Sequence, residues 1–136
     1  MGIILKTVCG NCGDTATFRV GNGIRDAELD RVLENYEEDE IEQIRKILAG
    51  SNGDSAWSVD RNMAYCAHCS SWKVLPVFYI ETPEKAEKQV FFGKCKECGN
   101  QAEFCDTELI LTRRKKIYCP KCGKMEISVE KCGRWD

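Results

Sequence analysis

Cys9-Gly10-Asn11-Cys12-Gly13-Asp14-Thr15-Ala16-Thr17-Phe18 recurs later in the chain as Cys95-Lys96-Glu97-Cys98-Gly99-Asn100-Gln101-Ala102-Glu103-Phe104. Both stretches read C-x-x-C-G-x-x-A-x-F. A second pair follows in the same order, Tyr65-Cys66-Ala67-His68-Cys69 and Tyr118-Cys119-Pro120-Lys121-Cys122, both Y-C-x-x-C. Two different cysteine segments repeated in order mark a tandem duplication. The copies differ in what separates their cysteine pairs: 53 residues lie between Cys12 and Cys66, and 20 between Cys98 and Cys119.

The repeated pairs point to metal. Two thiolates three residues apart reach one tetrahedral ion when the chain between them turns tightly. Gly13, Gly99 and Gly123 each follow a second cysteine, where glycine tolerates positive φ and lets backbone N–H groups face the sulfurs. A C-x-x-C-G followed by a later C-x-x-C has the ligand spacing of a four-cysteine zinc site, and the same geometry binds iron. The compartment agrees. Three apolar residues before Lys6 are too few for a signal-peptide core, and no run approaches a membrane span. Lys6 also stands where myristoylation after Gly2 needs Ser or Thr. The expectation is a cytoplasmic chain without membrane contact, in a reducing milieu where cysteine pairs serve as ligands rather than disulfides.

These knuckles resemble those of zinc ribbons, a fold group related to rubredoxin. The resemblance covers residues 3–20 and 57–81 in the first copy and 91–131 in the second. It implies a small α+β protein of two antiparallel zinc-ribbon modules, residues 1–81 and 91–136, joined by a linker at 82–90. By matching positions, Cys9, Cys12, Cys66 and Cys69 hold one ion, and Cys95, Cys98, Cys119 and Cys122 the other. Joining Cys66 and Cys69 to Cys95 and Cys98 also gives a workable spacing of 25 residues, but the repeat favours a complete site within each copy. Ser70 departs from the pattern, since glycine is expected after Cys69. The chain is also similar to small bacterial zinc-ribbon proteins of no known activity that carry a helical insertion.

That insertion is expected at about residues 26–49. Asp26 is a candidate N-cap, and Glu28 and Asp30 suit the positive end of the helix dipole. Leu29, Val32, Leu33 and Tyr36 recur at helical spacing, as do Ile41, Ile44 and Leu48, with a phase slip between the two sets. Arg45 and Lys46 suit the last turn and Gly50 the stop. Elsewhere the pattern is strand-like: Ala16, Phe18 and Val20 alternate with polar neighbours, as do Trp57, Val59, Met63 and Tyr65. Pro76 within Val74–Ile80 implies an edge strand or a bulge. Thr82-Pro83-Glu84 reads as the start of a short helical linker.

The net charge of -2 is unevenly spread, at -5 over residues 1–81 and +3 over 82–136. Each four-thiolate zinc site adds a further -2, so the whole chain is no generic polyanion binder. Arg113-Arg114-Lys115-Lys116 could meet nucleic-acid phosphates, or be a solvated turn. Trp57 and Trp72 read as core, while Trp135 could stack on a base. Glu37-Glu38-Asp39-Glu40 is a solvated face or a dock for a basic partner. His68, the only histidine, points outward between two ligands, so a nucleophile–base site has little support. Cys105 and Cys132 are left over as free thiols. The sequence therefore reads as a non-enzymatic module with two structural zinc sites, binding protein or nucleic acid. The alternative is a rubredoxin-like iron electron carrier. A thiol oxidoreductase is weaker, because matched sets of C-x-x-C fit ligation better than exchange.

Overall fold

The structure is a computed structural model, and it describes residues 2–50, 55–83 and 88–136. It is a small mixed α+β protein built on two antiparallel sheets. Strand β1 (Gly2–Cys9) turns back into β2 (Thr15–Val20), and β7 (Ile127–Trp135) pairs along the other side of β1, giving the order β2-β1-β7. The second sheet has the order β5-β4-β3-β6, from β3 (Ala56–Cys66), β4 (Ser71–Glu81), β5 (Gln89–Phe92) and β6 (Glu103–Phe104). Both sheets draw strands from either side of the 82–90 boundary. The linker helix expected from Glu84 falls outside the described residues.

The helical stripe resolves into α1 (Leu29–Leu33) and α2 (Glu38–Gly50), broken where the hydrophobic phase slips. Val32, Leu33, Tyr36 and Ile44 are buried against Val59, Phe78 and Ile80 of β3 and β4. Trp57 stacks on Phe78 at 5.4 Å between ring centroids, so this tryptophan belongs to the core. The Tyr36 hydroxyl donates to the Phe91 carbonyl at 2.7 Å, tying the junction of the two helices to the sheet. A second core packs Leu5, Val20, Met63, Cys105, Ile110 and Ile117 between the sheets and α3 (Thr107–Leu111).

Pro76 does not mark an edge. Strand β4 runs between β5 and β3, and the proline is buried. Its carbonyl accepts from Gly93 N at 2.8 Å, one residue beyond the end of β5. In an antiparallel ladder the missing N–H faces the same side, so the loss falls where that neighbouring strand has ended.

Asp26 is not a helix cap either. It lies in a 3-10 turn (Ile24–Ala27), while α1 begins after Glu28. Asp26 is 7 % exposed, and its carboxylate accepts from Arg61 Nη at 2.8 Å, Arg61 Nε at 3.2 Å and Gly23 N at 2.9 Å. Burial alone would raise this carboxyl's pKa; the guanidinium and the amide outweigh it and hold the group below the ordinary carboxylate value. Arg61 also exchanges two backbone hydrogen bonds with Gly21, of 2.7 and 2.8 Å, so one residue joins the end of β2 to β3. Arg61→Ala would leave a buried carboxylate without its counter-charge. We expect a loss of about 2–4 kcal/mol, reduced from a fully buried pair because the arginine is partly exposed, readable by denaturant unfolding of metal-loaded protein.

Candidate metal centres

Three of the C-x-x-C knuckles follow a strand, β1, β3 or β5, and the fourth, Cys119–Cys122, precedes β7. Cys9 closes β1, and the turn to β2 is made by Cys9 N donating to Asp14 O at 2.9 Å and Gly13 N to Cys9 O at 2.9 Å. The same pair of bonds recurs at Cys95 with Asn100 and Gly99, at 3.1 and 2.8 Å, and at Cys119 with Lys124 and Gly123, at 2.9 and 2.7 Å. The glycines take φ values of 75°, 73° and 75°. Cys66 closes β3, and its knuckle leads directly into β4.

The eight cysteines gather into two groups of four, but not the two that the duplication implied. Cys9 and Cys12 stand with Cys119 and Cys122; Cys66 and Cys69 stand with Cys95 and Cys98. In each group all four sulfurs lie within 4.8 Å of one another. The sites are nested, the outer one joining the two ends of the chain around the inner one. Antiparallel pairing of β1 with β7 decides this. It sets Cys9 opposite Ile127, and Gly10 N donates to Glu126 O at 2.9 Å, which brings the knuckle before β7 to the knuckle after β1. Each site still takes one C-x-x-C-G-x-x-A-x-F segment and one Y-C-x-x-C segment, with partners crossed between the halves.

The spacing of the sulfurs fits an ion. Sγ separations are 3.6 Å for Cys9–Cys122, 3.6 Å for Cys12–Cys119, 3.5 Å for Cys66–Cys98 and 3.8 Å for Cys69–Cys95. Four sulfurs about 2.3 Å from a central ion stand about 3.8 Å apart on a regular tetrahedron. A disulfide would need about 2.05 Å. Two groups of four cysteines can thus each hold a metal ion. Compared with models of protein families, with curated proteins and with solved structures, the chain matches none. The two four-cysteine groups of this chain are consistent with two zinc-ribbon-like modules.

The surroundings lower the pKa of one thiol in each group and raise that of another. The Asn100 N–H beside Cys98 pulls its thiol down to about 6, and the Lys124 N–H does the same for Cys122, to about 7. Cys69 is pushed up to about 12 by desolvation and by its three neighbouring thiols, the crowding that a bound cation relieves. Lys73 adds positive charge beside Cys95 and Cys69 while its Nζ holds Glu97 at 2.9 Å, fastening β4 to the 95–98 knuckle. Nothing in the sequence signals this pair. Nor did it show that the tyrosines of the two Y-C-x-x-C segments meet each other, Tyr65 on Tyr118 at 5.0 Å. The Trp72 indole N–H donates to the Tyr118 carbonyl at 3.1 Å, so this side chain braces one site against the other.

The remaining candidates fall outside both groups. His68 is exposed and belongs to neither. Cys105 is buried in the core between the sheets, and Cys132 lies exposed at the bulge where β7 slips against β1. Trp135 is packed rather than free: its indole N–H donates to Val20 O at 2.9 Å, and a methyl added at Gly2 or Gly23 would overlap its ring.

Ser70 explains itself here. Its φ of 51° is the left-handed conformation that the three knuckle glycines adopt. A Cβ at Gly13, Gly99 or Gly123 would meet nothing within 4 Å, so the preference for glycine is set by the backbone alone. Ser70→Gly should therefore stabilise metal-loaded protein by about 0.5–1 kcal/mol, and Gly123→Ala should destabilise it by about 1–2 kcal/mol. Thermal unfolding in excess metal would show the opposite signs.

Proposed function

We propose that the chain is a non-enzymatic binding module scaffolded by two structural zinc ions. The observation that carries this reading is the closed four-sulfur set in each site. Protein fills every direction of the tetrahedron, leaving no open position for a substrate. Zinc bound there would supply a cross-link that offsets half of the thiolate charge, and folding free energy without redox chemistry. Cys9, Cys12, Cys119 and Cys122 would hold one ion, and Cys66, Cys69, Cys95 and Cys98 the other. The thiolates require a reducing compartment, in keeping with the cytoplasm. Elemental analysis of protein purified without chelator should give two zinc ions per chain. One ion per chain, or chiefly iron, overturns the proposal.

Iron in a rubredoxin-like electron carrier is the second reading, supported by the C-P-x-C-G sequence of the Cys119-Pro120-Lys121-Cys122-Gly123 knuckle. Ferric tetrathiolate protein is red and zinc protein colourless, so an absorption spectrum separates the two.

The partner we infer is a protein. Nucleic acid is the competing partner, because Arg113, Arg114 and Lys116 stand exposed on the turn after α3. Anisotropy with single-stranded and duplex oligonucleotides at low salt decides this. Binding that weakens and loses salt dependence when Arg113, Arg114, Lys115 and Lys116 all become Ala would establish phosphate contacts there. No binding at micromolar protein leaves the protein partner. Among the described residues no helix is long and apolar enough to cross a membrane.

A further inference from the structure

The two faces of the sheet β5-β4-β3-β6 differ. One packs Trp57, Val59, Phe78 and Ile80 under α1 and α2. On the other, Ala64 and Leu75 are covered by the inner metal knuckle, where Cys95 and Ala102 pack on them. Beyond that cover the second face opens into a cavity of about 290 Å³ lined by Asp60, Asn62, Tyr79, Phe92, Phe104 and Asp106. The register explains the grouping: Asp60 lies opposite Val77, Val77 opposite Phe92, and Phe104 opposite Ala64.

The chemistry of this cavity is specific. Phe92 and Phe104 meet at 5.2 Å with planes tilted by 51°, so they form two walls of a corner rather than a closed stack. Phe92 is 44 % exposed and its strand neighbour Val90 40 %, two large apolar side chains left in solvent on one short strand. Aromatic faces carry negative quadrupole charge and attract cations. The exposed carboxylates of Asp60 and Asp106 reinforce that sign, although one Asp106 oxygen already accepts from Glu108 N at 2.8 Å. A cation of the chain itself lies against the lining: Lys88 Nζ is 5.8 Å from the centre of the Tyr79 ring, and 3.3 Å from Glu81.

We propose that this cavity binds the alkylammonium head of a lysine side chain presented by a partner protein. The aromatic corner of Phe92 and Phe104, open to solvent and rimmed by carboxylates, suits a cation whose methylene stem or methyl groups need covering. An anionic ligand would meet two carboxylates. The proposal rests on the reading of the chain as a binding module and not on which metal it holds.

The test uses the full metal-loaded chain and three short peptides alike except at one residue: trimethyl-lysine, unmodified lysine or acetyl-lysine. Acetylation keeps the stem and removes the charge. The two cationic peptides should produce saturable shifts of the Phe92 and Phe104 ring resonances, with acetyl-lysine binding at least about fivefold more weakly. Phe92→Leu and Asp60→Asn, both at exposed positions outside the cores, should each weaken the cationic peptides about two- to fivefold. Equal binding by acetyl-lysine, unchanged affinity in both variants, or no shift with any peptide overturns the proposal. Protein with two zinc ions that ignores all three peptides refutes this site alone. Peptide binding by protein with the wrong metal content refutes the zinc reading alone.

Discussion

Changing Cys12 and Cys122 to serine together should leave one metal ion per chain, whereas changing Cys12 and Cys69 together should leave none. In the nested arrangement Cys12 and Cys122 serve the same ion, so the second substitution removes nothing that the first has not already removed. Cys12 and Cys69 serve different ions, and losing one sulfur from each opens both tetrahedra. Pairing within the two halves of the sequence predicts the reverse for each double variant. Native mass spectrometry counts the ions directly. The stability effect should be large in either case, since a structural zinc site contributes on the order of 10 kcal/mol, comparable to the whole net stability of a small domain. The single variant Cys98→Ser should accordingly loosen the 93–104 segment, β6 and the metal end of the β3–β4 hairpin. It should spare the 119–122 knuckle, which belongs to the other ion.

Stripping both metals with a strong chelator should unfold most of the chain, and unevenly. The core formed by α1, α2 and the far ends of β3 and β4 contains no ligand cysteine. It should keep residual amide protection longest. The β1–β7 pairing should lose protection first, because its strands meet across more than a hundred residues and are fastened at one end by the outer site. Hydrogen exchange on apo and metal-loaded protein would show this gradient. Native-like protection of β1 and β7 in metal-free protein would mean that the ions do not hold the fold.

The ligands were legible because their chemistry is local. A C-x-x-C knuckle needs only its own turn, and the glycine after it announces that turn. Ile44, Val32 and Tyr36 were legible as core for a similar reason, since helical periodicity is written within a few residues. Which knuckles share an ion is a different kind of fact. Both pairings combine one segment of each repeated type, and the entropy of closing a loop grows so slowly that doubling its length costs only about 0.6 kcal/mol. The 106 residues between Cys12 and Cys119 are therefore no obstacle. The choice falls to β1 and β7, which carry no motif that names each other. Asp26 misleads in the same way: it precedes a helical pattern as a cap would, but Arg61, thirty-five residues away, claims its carboxylate. Pro76 reads as an edge strand or a bulge because proline lacks a donor; only the end point of β5 shows that no donor is required there.

Nesting also sets an order of events on the ribosome. Cys9 and Cys12 are made well before the rest of their site, which is complete only with Cys122, 110 residues after Cys12. At about 5–20 residues per second that is a wait of roughly 5–20 s. Cys66 and Cys69 emerge during that interval, before Cys95 and Cys98, and offer the N-terminal pair a complete but wrong tetrahedron. The duplicated sequence thus carries its own kinetic decoy. The first knuckle can meet its native partner at Cys119 and Cys122 only once β7 has arrived to pair with β1.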